Sequence, residues 1–291
     1  MTLKRLAANT SVVLLLCSVS MIAQVGNVFS SFDFPGANAT MPGSITPDGK
    51  IAGDYVAPDG SRHGFLRSGG NFQTIDVPGS TFTTVRWINP RGQMVGEYGG
   101  SDGRTHGFRL NGDDFRTVDF SNTVINTTLY GISPSGDIVG TETDAPAPGK
   151  NIRIRGFLLR EGEFSRIDFP GAMWTLPTMI IEDRIVGGYF DNNFTAHGFL
   201  LSDGQFQQID CPGSTSTFTS GMDVHGNLYG RFVATDGVQH GTMVRNGNCI
   251  AIDFPGGTLS YANAATPDGD IVGRYTSSDG KVHGFLLTRH E

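Results

Sequence analysis

Short apolar runs alternate with turn-forming clusters along the chain and recur in the same order. In the first complete unit, the pattern predicts strands at residues 43–46, 51–55, 63–67 and 72–77, separated by turns such as Pro47-Asp48-Gly49. No segment after the first residues of the chain has a helical period. The pattern therefore predicts units of four short antiparallel strands without helices.

This unit recurs at a nearly fixed spacing. A His-Gly-Phe element at residues 63–65 returns, with single replacements, at residues 106–108, 155–157, 197–199, 240–242 and 283–285. An aspartate, mostly within Ile-Asp-Phe-Pro-Gly, occurs six times at intervals of 43, 43, 49, 42 and 43 residues. Four-stranded units of about forty residues are typical of propeller blades. The sequence predicts an all-β fold, a six-bladed β-propeller with four-stranded antiparallel blades.

The two ends of the chain supply different parts of one unit. Residues 27–34 are predicted to form a fourth strand, whereas the last predicted strand, residues 283–287, is a third. We expect the N-terminal strand to join the last blade and close the ring, which would protect the strand edges. Residues 24–291 would then be a single domain. Residues 144–150 lengthen one turn of the middle unit and predict a surface loop.

The repeated motifs resemble a family of bacterial extracellular repeats. His-Gly-Phe-Leu, Ile-Asp-Phe-Pro-Gly and the Ile-Val-Gly-x-Tyr strand at residues 271–275 are similar to repeats named for a His-Ala-Phe motif, with glycine in place of alanine. The resemblance covers nearly all of residues 24–291. It implies an exported repeat protein and implies no particular activity.

The first residues of the chain and its net charge indicate where the protein is located and which partners it binds. Residues 1–23 contain Lys4 and Arg5 followed by an apolar run, which is typical of a signal peptide and too short to span a membrane. Its removal would change the formal net charge from −7 to −9, since two cations and no acid are lost. We therefore expect a secreted or periplasmic monomer without a membrane span. An acidic chain without a basic run is not expected to bind nucleic acid.

A hydrogen-bond donor precedes each of five aspartates by 13 residues, and His283 would meet Asp33 after ring closure. Across a hairpin, the two residues of such a pair lie opposite each other. An arginine at one of the donor positions keeps the donor but removes a metal ligand. We therefore favour structural pairs over a metal site. The predicted pairs are His63–Asp76, His106–Asp119, Arg155–Asp168, His197–Asp210, His240–Asp253 and His283–Asp33.

Fourteen of the 20 phenylalanines occupy three repeat positions, which indicates a core role. The position four residues before each aspartate and the position directly after it lie on opposite strand faces, so they would contact the two neighbouring blades. Cys211 and Cys249 take these two positions in adjacent blades. The pattern predicts a disulfide between them, as expected in an oxidising compartment. Two buried thiols are the alternative.

Candidate functional residues stand where the repeats differ. The variable residue of the Gly-x-Tyr segment is Asp54, Glu97, Thr141, Gly188, Arg231 and Arg274 around the ring. An ion pair between Arg274 and Asp54 is the favoured interpretation. The alternative is a polar rim that binds a ligand, in which Asp54 and Glu97 are weak candidates for acid–base catalysis on a glycoside.

Two tryptophans, Trp87 and Trp174, also break the repeat and would either stack on a ligand or fill the core. We find no phosphate-binding loop, nucleophile motif or zinc-ligand spacing, and we predict no cofactor and no metal. The ligand-binding candidates are therefore Asp54, Glu97, Arg231, Arg274, Trp87 and Trp174.

These features favour a secreted binding or scaffold module over an enzyme. The partner would be an extracellular polysaccharide or an extracellular protein. A carbohydrate-active hydrolase or lyase that uses Asp54 and Glu97 is the first alternative, and a purely structural cell-surface protein is the second. The fold alone does not distinguish between them.

Overall fold

The computed structural model describes residues 27–144 and 152–289, which form 24 β-strands and no helix. The all-β prediction is confirmed. The predicted signal peptide and all but the first residue of the predicted loop at residues 144–150 lie outside the described ranges. Within these ranges, no helix is long and apolar enough to cross a membrane.

The strands pair in six antiparallel sets of four, which we call units 1 to 6. The first strand, β1 (Asn27–Phe32), belongs to unit 6. Units 1 to 3 consist of β2 (Ala39–Ile45), β3 (Ile51–Val56), β4 (Arg62–Ser68) and β5 (Asn71–Ile75); β6 (Thr83–Ile88), β7 (Met94–Gly99), β8 (Thr105–Asn111) and β9 (Asp114–Thr117); and β10 (Val124–Ile132), β11 (Ile138–Asp144), β12 (Ile154–Arg160) and β13 (Glu163–Ile167).

The second half of the chain continues this order. Units 4 to 6 consist of β14 (Trp174–Ile181), β15 (Arg184–Phe190), β16 (Ala196–Ser202) and β17 (Gln205–Ile209); β18 (Ser214–Met222), β19 (Leu228–Ala234), β20 (Gln239–Arg245) and β21 (Asn248–Ala251); and β22 (Leu259–Ala265), β23 (Ile271–Thr276), β24 (Val282–Arg289) and β1. The first strand of unit 1 begins at Ala39, earlier than the predicted Gly43, because small polar residues obscure its alternation.

The first and last described strands pair in unit 6. Strand β1 runs antiparallel to β24, from Asn27 opposite Arg289 to Phe32 opposite Gly284. Each unit contacts the next, and unit 6 contacts unit 1. At this last contact, Nδ2 of Asn263 donates to the carbonyl oxygen of Pro42 at 2.6 Å. Ala39 of β2 also pairs with Val282 of β24, so the first and last units are held together by both strand pairing and side-chain contact.

Aromatic residues pack between neighbouring units, as the sequence predicts. In four joints, the ring that follows the aspartate contacts the ring four residues before the next aspartate, with centroids 5.1–5.6 Å apart. These pairs are Phe34–Phe72, Phe120–Phe164, Phe169–Phe206 and Phe254–Phe29. In the joint between units 4 and 5, Cys211 and Cys249 form the predicted disulfide, with an S–S distance of 2.08 Å.

A hydrogen bond that the sequence analysis does not predict recurs in all six joints. The backbone N–H that follows each repeat aspartate donates to a buried hydroxyl in the innermost strand of the next unit, over 2.9–3.2 Å. The bonds run from Phe34 to Thr40, Val77 to Thr83, Phe120 to Thr127, Phe169 to Thr175, Cys211 to Thr217 and Phe254 to Ser260. Because a buried N–H without an acceptor is costly, these hydroxyls help to fix the crossing between units.

Five of the six expected donor–aspartate pairs form. The Nδ1 atoms of His63, His106, His197, His240 and His283 lie 2.7–3.0 Å from the carboxylates of Asp76, Asp119, Asp210, Asp253 and Asp33.

The Arg155–Asp168 pair is replaced by a different one. Nε of Arg155 donates to Glu142 at 2.8 Å, and its guanidinium also pairs with Asp144. Glu142 is fully buried, and a buried carboxylate needs a cation close by. The long side chain of Arg155 reaches the Glu142 carboxylate on the neighbouring strand and therefore does not pair with Asp168.

Candidate functional site

The pairing register of all six innermost strands shifts at the same place. One residue of each strand bulges there, namely Gly43, Arg86, Tyr130, Thr178, Ser220 and Asn263. A β-bulge interrupts the regular alternation and re-aims a side chain. All six bulge residues line one cavity of about 270 Å³, which we call the central cavity. The repeat thus builds a common frame, and each unit places a different residue type in it.

The bulges of neighbouring units approach each other closely. A Cβ atom on Gly43 would collide with the backbone oxygen of Arg86, the bulge residue of the next unit. Similarly, Cβ atoms on Gly131 and Gly221 would collide with the backbone oxygens of Thr178 and Asn263. Glycine is required at these positions by the close approach of two backbones, so the wall of the cavity is tightly packed.

Two arginines and two aromatic rings alternate along one side of the central cavity. Arg231 lies opposite Phe218, and Arg274 lies opposite Tyr261, in their strand pairs. The guanidinium carbon of Arg231 is 4.7 Å from the ring centroid of Phe218 and 5.2 Å from that of Tyr261, and the guanidinium carbon of Arg274 is 4.1 Å from the Tyr261 centroid. Cation–π attraction therefore holds both guanidinium groups at the cavity wall.

Gly188 makes room for this arrangement. A Cβ atom at Gly188 would overlap the ring of Phe218. The glycine in the variable position of unit 4 and the arginine in that position of unit 5 are therefore linked through one phenylalanine.

The pKa directions indicate a surplus of positive charge at this side. Burial lowers the pKa of Arg231, and repulsion by Arg274 acts in the same direction. Burial alone would raise the pKa of Tyr261, but the charges of Arg274 and Arg231 outweigh it and hold that pKa below its ordinary value.

The other charged residues of the site are already paired. Asp54 is 4% exposed, and Nη1 of Arg62 lies 3.3 Å from its Oδ2. Burial raises the pKa of Asp54, against the attraction of Arg86 and Arg62. The favoured Arg274–Asp54 ion pair is thus replaced by Arg62–Asp54. The physical reason is that the ring of Tyr261, directly across the strand pair, takes the guanidinium of Arg274.

Glu97 is held by Arg86 and Thr128. Its Oε1 lies 2.5 Å from Nη2 of Arg86, and it also accepts a hydrogen bond from the hydroxyl of Thr128. Burial alone would raise the pKa of Glu97, but these two partners outweigh it and lower the pKa. Glu97 lines a separate cavity of about 230 Å³, whereas Asp54 lines the central cavity. A glycosidase pair flanks one scissile bond, and these carboxylates face different cavities.

The two tryptophans have different surroundings. Trp87 is 8% exposed and lines both the central cavity and a mostly apolar cavity of about 160 Å³. Trp174 donates from Nε1 to the carbonyl oxygen of Ile152 at 3.0 Å and meets Phe190 and Phe194 edge-on. Of the two, only Trp87 is placed to contact a ligand in the central cavity.

No family model matches the chain, and no curated protein matches it. Solved structures do. The fucose-specific lectin from Aleuria aurantia is 12% identical, with 91% of this chain and 94% of the lectin covered and a TM-score of 0.52. AofleA from Arthrobotrys oligospora is 11% identical, with 91% and 90% covered and a TM-score of 0.54.

The β-propeller domain of the Trilobed protease from Pyrococcus furiosus is 12% identical, with 86% of this chain and 79% of that chain covered and a TM-score of 0.55. The fold is a β-propeller. At these identities, the likeness shows the fold alone.

Several residues of this propeller's central cavity, including Phe218, Tyr130, Tyr261 and Asn263, are not among the residues that the sequence predicts. The predicted variable positions lie in the second strands of the units, whereas these four residues lie in the first strands. At the position of Phe218 and Tyr261, the other innermost strands carry Met41, Thr84, Thr128 and Leu176. Two neighbouring units thus carry aromatic residues where the other first strands have smaller or aliphatic ones, and this difference is the sequence signal for the site.

Proposed function

We propose that units 1 to 6 are the blades of a six-bladed propeller whose ring is closed by β1. We further propose that the protein is an exported member of the extracellular His-Ala-Phe repeats and binds an extracellular polysaccharide in the central cavity. The observation that carries the proposal is that six equivalent bulges place six different residue types around one cavity. A ligand without sixfold symmetry requires such variation, whereas a scaffold role does not.

The composition of the cavity wall suits a sugar. The aromatic rings of Trp87, Phe218 and Tyr261 offer apolar faces, and Thr178, Ser220 and Asn263 offer hydroxyl and amide groups. Mostly apolar walls with a few fixed polar groups are typical of small-ligand sites. The volume of about 270 Å³ is slightly below the range of such sites, about 300–1,000 Å³. A single sugar residue or a chain end is therefore a better match than a long stretch of polymer.

Export is supported by the disulfide between Cys211 and Cys249. Disulfides persist in oxidising compartments and are rare in reducing ones. An extracellular location brings the chain into contact with envelope and matrix polysaccharides.

The test uses the oxidised chain from Gln24 onward. In its Trp174→Phe variant, Trp87 is the only tryptophan, so its fluorescence reports on the central cavity. A panel of extracellular polysaccharides is titrated into this variant, and the release of reducing ends is followed in parallel. We expect at least one polysaccharide to change the fluorescence saturably without forming product. The Trp87→Leu variant should lose retention on the same polysaccharide immobilised on beads, and its matched control, Trp174→Leu, should keep it.

Two outcomes would overturn the proposal. Product that disappears in the Asp54→Asn, Glu97→Gln double variant would make the protein a hydrolase or a lyase. Absence of saturable binding to every polysaccharide would favour a purely structural protein.

A further inference from the structure

The charges around the central cavity are unevenly compensated. Its lining contains Asp54, Arg86, Arg231 and Arg274. Arg62 pairs with Asp54 at 3.3 Å, and Glu97 pairs with Arg86 at 2.5 Å. Among the described residues, neither Arg231 nor Arg274 has a carboxylate within 4.0 Å, although the chain as a whole has a formal net charge of −7. In the part of the chain that the structure describes, the cavity therefore holds two arginines without a salt bridge in an acidic protein.

These two guanidinium groups are ordered before any ligand arrives. The guanidinium of Arg231 lies over the rings of Phe218 and Tyr261, and the guanidinium of Arg274 lies over the ring of Tyr261. A guanidinium that contacts a ring through its flat face keeps N–H groups at its edges for hydrogen bonds. Arg274 uses part of this capacity on the side chain of Tyr261. Those edges match the two oxygens of a carboxylate. Because the side chains are already fixed, a bound anion would lose less free energy to their ordering.

The two guanidinium groups share the ring of Tyr261 as a contact. Both lie within 5.2 Å of its centroid. Repulsion between the two cations is the price of this arrangement, and an anion at the N–H edges of both groups would relieve it. A single carboxylate can accept hydrogen bonds from two arginines, since each of its oxygens has two lone pairs.

The remaining residues of the cavity wall indicate which class of ligand would bear the carboxylate. Ser220 and Asn263 are the bulge residues of units 5 and 6, the two units that supply Arg231 and Arg274. Nδ2 of Asn263 is committed to Pro42, which leaves its side-chain oxygen as an acceptor for a hydroxyl group. A ligand with one carboxylate, several hydroxyls and an apolar ring face would use every part of this wall.

We propose that the central cavity recognises an acidic sugar residue, a uronic acid, whose carboxylate pairs with the guanidinium groups of Arg231 and Arg274. This inference rests on the proposed polysaccharide-binding function and specifies the class of sugar.

The test compares an oligogalacturonate with its carboxyl-reduced, neutral counterpart in calorimetric titrations of the unaltered oxidised chain. The acidic oligomer should bind about tenfold or more tightly, since hydrogen bonds to a charged group are strong ones. Arg231→Gln and Arg274→Gln should each weaken its binding about tenfold. Arg231→Lys keeps the charge and loses the planar fork, so it should also bind more weakly.

The matched control is Arg116→Gln. Arg116 pairs with Asp114 on a surface strand, and its side chain is 76% exposed, so the variant removes one positive charge away from the cavity. It should bind the acidic oligomer like the unaltered chain. Urea unfolding of each variant establishes that a loss of binding is not a loss of fold.

Each contrary outcome has a distinct meaning. Equal affinity for the acidic and the neutral oligomer would overturn this inference and leave the proposed function standing. Equal affinity for acetate and for the oligogalacturonate would show a general carboxylate site and would also overturn it. Binding of neither these oligomers nor any polysaccharide of the panel would overturn the proposed function itself. The comparison of the two oligomers needs no variant, so it decides the question even if an arginine variant fails to fold.

Discussion

Glu142 lies directly opposite Arg155 in the β11–β12 pair, where each of the other five units places an aromatic residue opposite a histidine. In those units the two rings stack, with centroids 4.9–5.2 Å apart, as in Tyr55 and His63. Unit 3 has exchanged both members of the stack for an ion pair. Arg166 also contacts Glu142, so one buried carboxylate has two cations.

The exchange of the stacked rings for an ion pair predicts that substitutions of Glu142 and Arg155 have strongly non-additive effects on the free energy of unfolding. Arg155→His alone should lower the free energy of unfolding by about 3 kcal/mol, because the buried Glu142 loses a cation. Adding Glu142→Tyr should recover much of this loss, since the pair then matches the other units and the new histidine can reach Asp168. Urea unfolding of both single variants and of the double variant measures the interaction. Losses that simply add would contradict the prediction.

The disulfide replaces a ring contact and is expected to stabilise the joint between units 4 and 5. The two cysteines are 38 residues apart, and a loop of this length predicts a contribution of about 4 kcal/mol. Reduction should lower the free energy of unfolding by roughly this amount.

The matched control for reduction is the Cys211→Phe, Cys249→Phe double variant. It restores the phenylalanine pair that four other joints contain, and it should fold and be insensitive to reductant. If alkylation labels a thiol in the denatured, unreduced chain from Gln24 onward, the bridge does not form in solution.

His106 is expected to make stability depend on pH. Burial lowers its pKa, but hydrogen bonds to Asp119 at 2.8 Å and Asp102 at 3.1 Å outweigh burial and hold the pKa above the ordinary 6.5. The ring of Tyr98 stacks on it at 5.2 Å. Because the pKa is higher in the folded state, this stabilisation is fully present below about pH 6.5 and is lost as the pH rises through the folded pKa.

The measurement compares the unaltered protein with His106→Gln by urea unfolding on both sides of this range. The free energy of unfolding of the unaltered protein should exceed that of His106→Gln by more at about pH 5.5 than at about pH 8.5. Asp102→Asn removes one of the two carboxylate partners and should reduce the difference. An advantage that is the same at both pH values would contradict the assigned direction.

Features that depend on spacing were predictable from sequence. The constant interval between repeat positions placed Cys211 beside Cys249 and His283 beside Asp33, 250 residues away. The predicted partner of Arg155, Asp168, is wrong. Arg155 pairs with Glu142 because Glu142 is buried, and the spacing between residues carries no information about burial. The sequence does not reveal the bulges, for a related reason. A bulge residue such as Asn263 occupies an ordinary place in the sequence, and only its unpaired register directs it to the cavity.

The link between Gly188 and Phe218 gives a prediction for the site. In Gly188→Ala the new methyl group would overlap the Phe218 ring, which supports the guanidinium of Arg231. Overpacking of this kind typically costs about 1–3 kcal/mol. The variant should therefore be less stable and bind the acidic oligomer more weakly, since a displaced ring no longer holds the arginine.

Phe218→Leu provides the background that isolates the ring. Leucine leaves the aromatic position empty, so Gly188→Ala should cost much less stability in the Phe218→Leu protein than in the unaltered one. Urea unfolding of the unaltered protein, the two single variants and the double variant gives the coupling energy. Calorimetric titration with the oligogalacturonate shows whether Arg231 still contributes to binding. A loss of stability from Gly188→Ala that is equal in both backgrounds would show that the methyl group meets some other obstacle. The coupling between the fourth and fifth units would then not pass through Phe218.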